Sequence, residues 1–252
     1  MKRDRLKKLA AEKRFIPGIY NYCDRWCERC PLTSRCLNFS ISQEDSSDPE
    51  AQDIKNKAFW NKLSETLAET MELLRESAEE WGVDLETLDS TEDIENIKAK
   101  DVAAKNHLLS RAAKRYIGII DDWFKEKETL FFETVAAARE GVSLDETFEV
   151  IRWYQYFISA KIFRALRGKA EDDEEGDDEF PRDSDGSAKI ALIAIDRSIA
   201  AWAVIRHYVT DGRKGVIDTI AFLDSLRQAV EKTFPNARSF IRPGFDSMAK
   251  LD

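Results

Sequence analysis

All four cysteines of the 252-residue chain fall within fourteen residues, in the order Cys23-x3-Cys27-x2-Cys30-x5-Cys36, and the other 238 residues contain none. Cysteines used as small apolar core residues would scatter through the buried helices, whereas a thiolate site needs several sulfurs converging on one point. Gaps of three, two and five residues allow one tight loop to fold back on itself, with Pro17-Gly18 ahead of it and Pro31 inside it as turn-forming backbone. Disulfides are the plainer use of such a cluster. A chain of this length buries a large core without them, and residues 1–15 have no apolar stretch or small-residue cleavage site that would make a secretory signal, so a cytoplasmic protein with reduced thiols is expected. The expected chemistry is therefore metal binding, with Cys23, Cys27, Cys30 and Cys36 as the ligands.

Two occupants remain open on spacing. A structural zinc takes four thiolates tetrahedrally, usually from two short knuckles on separate turns, while a [4Fe–4S] cluster is larger and accepts four thiolates from one continuous loop. The run Cys27-Glu28-Arg29-Cys30-Pro31-Leu32-Thr33-Ser34-Arg35-Cys36 resembles the iron–sulfur loop of helix-hairpin-helix DNA glycosylases, C-x6-C-x2-C-x5-C, often with proline after the third cysteine. The last two gaps match; the first is three residues instead of six. The same half is similar to segments of iron–sulfur nucleases and of auxiliary-cluster domains in radical enzymes. This resemblance covers about 6% of the chain and implies a [4Fe–4S] cluster, not a family. Ile16-Pro17-Gly18-Ile19 matches only the first half of the glycosylase hairpin, so DNA repair activity is not carried over. No βα-barrel strands follow the cysteines, so radical-SAM chemistry is not carried over either.

Charge is placed unevenly. Residues 1–35 hold ten Lys/Arg and four Asp/Glu, whereas residues 171–185 hold ten acids and one Arg, which equals the net −9 of the whole chain. Arg25, Arg29 and Arg35 lie among the cysteines, where guanidinium groups offset thiolate charge. Together with the lysines and arginines of the first fourteen residues, and with Tyr20, Tyr22 and Trp26 as stacking rings, they also outline a basic patch that would face nucleic acid as partner.

Other chemistry is thinly represented. A di-iron bundle needs Glu-x-x-His pairs, but Ala104 and Val204 stand three residues before His107 and His207, the only histidines. Glu133, Glu149 and Asp196 are the remaining carboxylates for an all-oxygen site. Asp196 and His207, eleven residues apart on an apolar helix, are expected to be a buried polar pair. Asp183-Ser184-Asp185-Gly186 resembles the start of a calcium loop without its later ligands, and no glycine-rich phosphate cradle occurs.

The elements that must position these residues read as helical. Trp60, Leu63, Leu67, Met71, Leu74, Ala78 and Trp81 share one face of a seven-turn helix closed by Gly82. A second pattern runs from Ser90, with Asp93 in a capping-box position, to Glu140-Gly141, long enough that a break is expected inside it. Ser143 and Glu146 cap a third, whose stripe is Phe148, Ile151, Tyr154/Gln155, Ile158, Ile162 and Leu166, ending before Gly168. Residues 188–210 are apolar on most sides, with a seam of Leu192, Ile195, Ile199, Trp202 and Val209 closed by Asp211-Gly212, and a last helix runs from about Val216 to Phe234 ahead of Pro235. Residues 1–14 suggest a short basic helix. No uncharged run approaches the ~20 residues of a membrane span.

The expectation is an all-α bundle of four to five long helices. A basic segment and four-cysteine metal module occupies 1–42, the bundle 53–234 with a flexible acidic loop over 171–187, and an irregular tail 235–252. Its function is expected to be that of a metal-cluster-binding protein, [4Fe–4S] by preference, with a redox, sensing or nucleic-acid-associated role. The alternative is a non-catalytic interaction scaffold built on a structural zinc held by the four cysteines. The module's many apolar residues, among them Phe15, Ile16, Ile19 and Leu32, exceed what a metal loop can hide, so it is expected to pack against the helices of the bundle.

Overall fold

The computed structural model describes residues 3–45, 49–84, 91–126, 144–175, 182–209 and 213–246. Among them every regular element is a helix: α1 Arg3–Ala10, α2 Leu37–Asp45, α3 Lys57–Trp81, α4 Thr91–Asn106, α5 Leu108–Glu126, α6 Leu144–Glu175, α7 Asp183–Tyr208 and α8 Arg213–Thr233, with short 3-10 turns between some of them. The all-α expectation therefore holds. No helix is long and apolar enough to cross a membrane among the described residues. The chain divides into two compact units, Met1–Ile97 with Arg242–Asp252, and Lys98–Ile241. This division differs from the expected one, since α3 groups with the cysteine segment and with part of the expected tail.

Unit Lys98–Ile241 is a four-helix arrangement in which α5 packs on α6, α6 on α7, α7 on α8 and α8 back on α5. The central α7 has enough small and branched residues to be covered on most sides, and Leu192, Ile195, Trp202 and Ile205 are almost fully buried. Trp202 anchors the core: its ring meets Trp123 edge-on at 5.0 Å, and its Nε1–H donates to the Tyr116 hydroxyl at 3.0 Å. Burial pushes the Tyr116 hydroxyl pKa up to about 12, so it stays a neutral partner. Buried Gln155 is satisfied by donating to Asp121 Oδ1 at 2.7 Å and to the Ile117 carbonyl at 3.3 Å.

The break expected in the second helical pattern falls at His107. Its Nδ1 accepts the Leu109 N–H at 3.2 Å, so the imidazole caps the start of α5 and serves the backbone. Gly168 does not stop its helix; α6 runs on to Glu175. A Cβ there would lie 3.5 Å from Ser184 Cβ, so the missing side chain serves the approach of α6 to α7. Residues 171–175 and 183–187 of the expected acidic loop are helical, ending α6 and opening α7, and Arg164 pairs with Asp183 at 3.1 Å. Residues 176–181 lie outside the described residues, as do Ser90, Glu140-Gly141, Ser143 and Asp211-Gly212.

In the other unit, α3 is closed as its sequence indicates. Asn56 Oδ1 accepts the Ala58 N–H at 3.0 Å, Gly82 is left-handed at φ 69°, and the Val83 N–H returns to the Ala78 carbonyl at 2.8 Å. The expected core role of its stripe is not met: apart from Ala78, all of those side chains are exposed.

Candidate metal centre

The cysteine loop is built from three successive 3-10 turns, Ile19–Tyr22, Cys27–Arg29 and Thr33–Arg35. Each turn ends on a cysteine in extended backbone, Cys23, Cys30 and Cys36 respectively, and Cys27 begins the second turn. A turn closed by a bond from residue i+3 reverses the chain in few residues, so a cysteine at each exit returns to the same side. The Cys30 N–H donates to the Cys27 carbonyl and the Cys36 N–H to the Thr33 carbonyl, both at 3.1 Å. The Ile16 N–H closes the loop on the Arg35 carbonyl at 3.0 Å, and α2 starts immediately with the Ser40 N–H on the Cys36 carbonyl. Between Cys23 and Cys27, Arg25 takes a left-handed conformation at φ 60°, the only such non-glycine residue among those described. The Asp24 carboxylate supports that reversal by accepting the Trp26 N–H at 3.2 Å.

The outcome is a partly open pocket lined by Cys23, Cys27, Cys30 and Cys36 together with Ile19, Tyr20, Asp24, Arg25, Trp26, Thr33, Phe39 and Phe245. All four cysteines are free thiols and half-buried. Among the described residues, no group of three or more His, Cys, Asp or Glu side chains stands close enough together to hold a single metal ion. Backbone amides already address two of the sulfurs: the Leu32 N–H donates to Cys30 Sγ and the Phe39 N–H to Cys36 Sγ, each at 3.4 Å. The Cys23 thiol itself donates to the Tyr20 carbonyl at 3.5 Å.

Burial pushes the Cys23 and Cys27 thiols above their ordinary pKa. At Cys27 the neighbouring Cys23, Cys36 and Cys30 add to the effect, and at Cys23 the nearby Arg25 backbone and guanidinium oppose it. Arg25, Arg29 and Arg35 are exposed around this group. Arg29 lies over the Trp26 ring at 4.1 Å, which occupies a face expected to stack on a base. Lys7 pairs with Glu76 at 2.6 Å, so part of the expected basic patch serves contacts within the unit.

Phe245 is the lining residue that sequence reasoning missed. It comes from a segment more than two hundred residues away, fixed by a clasp in which Asp246 accepts the Arg242 backbone N–H at 2.9 Å and pairs with its guanidinium at 2.8 Å. The guanidinium also sits 4.9 Å from the Phe245 ring. Between them Gly244 is left-handed at φ 76°, and a Cβ there would fall 2.7 Å from Ile16 Cδ1 and 3.1 Å from Ile19 Cδ1. The loop's apolar side is expected to meet the bundle helices; the contact the structure gives it is with residues 242–246, inside the expected tail, and Phe15, Ile19 and Leu32 are buried. The compact five-residue signal Arg-Pro-Gly-Phe-Asp could have flagged this turn, though not its destination.

The other candidates do not assemble. Asp196 and His207 are not a buried pair: His207 is exposed, and Asp196 is bridged to Arg238 at 2.7 Å and Arg227 at 3.6 Å. Glu149 is exposed, and Glu133 lies outside the described residues. Comparison with models of known families, with curated proteins and with solved structures finds no match.

Two outcomes follow from this geometry. Gly244→Ala combines a left-handed alanine with crowding against Ile16 and Ile19, and should cost about 1–2 kcal/mol. Chemical denaturation should show it together with faster amide exchange over residues 16–36; an unchanged midpoint would mean that the clasp does not support the loop. For the thiols, a pKa raised on folding means stability that is complete below the unfolded thiol pKa and fades as pH rises through the folded value. In protein stripped of metal, alkylation of Cys27 followed by mass spectrometry should therefore have its pH midpoint above that of the unfolded chain, and an equal or lower midpoint would contradict the crowding of sulfurs.

Proposed function

We propose that Cys23, Cys27, Cys30 and Cys36 hold a [4Fe–4S] cluster and that the chain is a cluster-bearing helical protein with a redox or sensing role. The observation that carries this reading is that four free thiols from one continuous loop line one pocket. A structural zinc usually draws its thiolates from two knuckles on separate turns, whereas a cluster accepts four from one continuous loop. The similarity of the C-x2-C-P-x4-C half to iron–sulfur loops points the same way. When bound, such a cluster exchanges single electrons.

The chain's own residues set the conditions for that exchange. The Leu32 and Phe39 amides donate to sulfur and favour the more negative, reduced state, as hydrogen bonds to thiolates do. Exposed Arg25, Arg29 and Arg35 offset the charge of four thiolates from outside. Ile19, Phe39 and Phe245 line the cavity with apolar surface and restrict water. The protons that raised thiol pKa values hold in the metal-free state must leave as the ligands bind, so assembly is favoured by rising pH through the neutral range. A nucleic-acid role would use the same arginines and is the secondary reading within this proposal.

Anaerobic purification with metal and acid-labile sulfide analysis tests it. Iron and sulfide at about four each per chain are expected, and both should be lost in Cys30→Ser. Stoichiometric zinc without sulfide would replace this reading with a structural zinc scaffold.

A further inference from the structure

The face of α3 that composition assigns to a core is open. Trp60, Leu67, Leu74 and Trp81 recur every seven residues, with Leu63 and Met71 beside them, and their exposures run from 39% at Leu63 to 77% at Trp81. A heptad repeat of large apolar side chains on a 25-residue helix is the pattern of a helix that seats another helix. The helix is capped at both ends, so its exposure does not come from fraying.

We propose that this face is the interface of a homodimer in which α3 pairs with α3 of a second copy, antiparallel. Three observations choose the occupant. The repeat is self-complementary under a two-fold axis beside residues 70 and 71, which sets Trp60 against the partner's Trp81 and Leu67 against the partner's Leu74, as an isologous contact requires. The exposed apolar side chains offer on the order of 600 Å² per helix, which doubled reaches the lower end of specific interfaces, about 1,200 Å². Charge then fixes direction. It is graded along the helix axis, since Lys57 and Lys62 outnumber Glu65 in the first ten residues and Glu69, Glu72, Glu76, Glu79 and Glu80 outnumber Arg75 in the remainder. Most of these sit away from the seam and act through the field of the whole helix. Antiparallel pairing lays the basic end along the acidic end and opposes the helix dipoles; parallel pairing would align the two acidic ends.

The positions flanking the seam suit close approach, being Ser64, Ala68, Thr70 and Ser77, with the acids Glu65, Glu69 and Glu76 on the far face. An acidic far face and acidic C-terminal end also argue against an anionic lipid surface as the occupant.

Sedimentation equilibrium of the intact, metal-loaded chain over a concentration series tests the proposal. A monomer–dimer equilibrium with a dissociation constant of order micromolar is expected. Leu67→Glu and Leu74→Glu should each weaken it at least about tenfold with helical content by circular dichroism unchanged, because both sites are exposed in the single chain. Glu65→Gln on the far face should not weaken it. Direction is read by zero-length crosslinking of a mixed light and heavy nitrogen sample, where Lys57 or Lys62 should join the partner's residues 79–84. A monomer at every concentration, a dimer indifferent to both Leu variants, or crosslinks from Lys57 to the partner's Glu65 would overturn it.

Discussion

Four thiols around one small cavity cannot all ionise without a compensating charge. Cys27 shows the constraint most directly: its thiol is raised first by burial and then by the negative charge that Cys23, Cys36 and Cys30 would carry. A protein that brings sulfurs together in this way, with no disulfide between them, works against both desolvation and repulsion. The surrounding features answer that constraint. Two amides point at sulfur, Arg25 opposes the rise at Cys23, and its left-handed backbone is tolerated between Cys23 and Cys27. A cationic metal centre resolves the same repulsion and converts it into binding free energy.

Support for the loop is distributed along the chain. Short-range reversals deliver the cysteines, but their apolar underside is finished by residues 242–246, where a left-handed glycine fits beside Ile16 and Ile19 and Phe245 enters the cavity. Unit Lys98–Ile241 shows a different economy. Its buried polar groups, Tyr116 with Trp202 and Gln155 with Asp121, fix the packing of helices, and none of the described ones forms a nucleophile and base pair. The chemistry and the open α3 face both belong to the unit of Met1–Ile97 with Arg242–Asp252.

What is legible in the sequence is local. The cysteine spacing, the cap at Gly82, the buried seam of α7 and the end of α8 before Pro235 all depend on residues a few positions apart. What is not legible depends on partners distant along the chain. Periodicity locates an apolar face but does not say whether anything covers it, so the α3 stripe reads as core. Glycine has two uses, and Gly168 reads as a helix stop when its role is the close approach of α6 to Ser184. His107 and Asp196 look like candidates for chemistry because titratable groups on apolar helices are costly, yet one caps a helix and the other pairs with Arg238 and Arg227. Phe245 sits in a turn that Arg-Pro-Gly-Phe-Asp marks, but an irregular segment reveals its destination only once folded.

Whether the four thiols hold a cluster is the point on which the functional reading turns, and X-ray absorption on the anaerobically isolated protein addresses it directly. Four sulfur ligands around a [4Fe–4S] body predict an iron edge with a sulfur shell and a second, iron–iron shell, both absent in Cys30→Ser. A zinc edge with four sulfurs at about 2.3 Å and no metal–metal shell would contradict it and show that the cavity closes on a single ion.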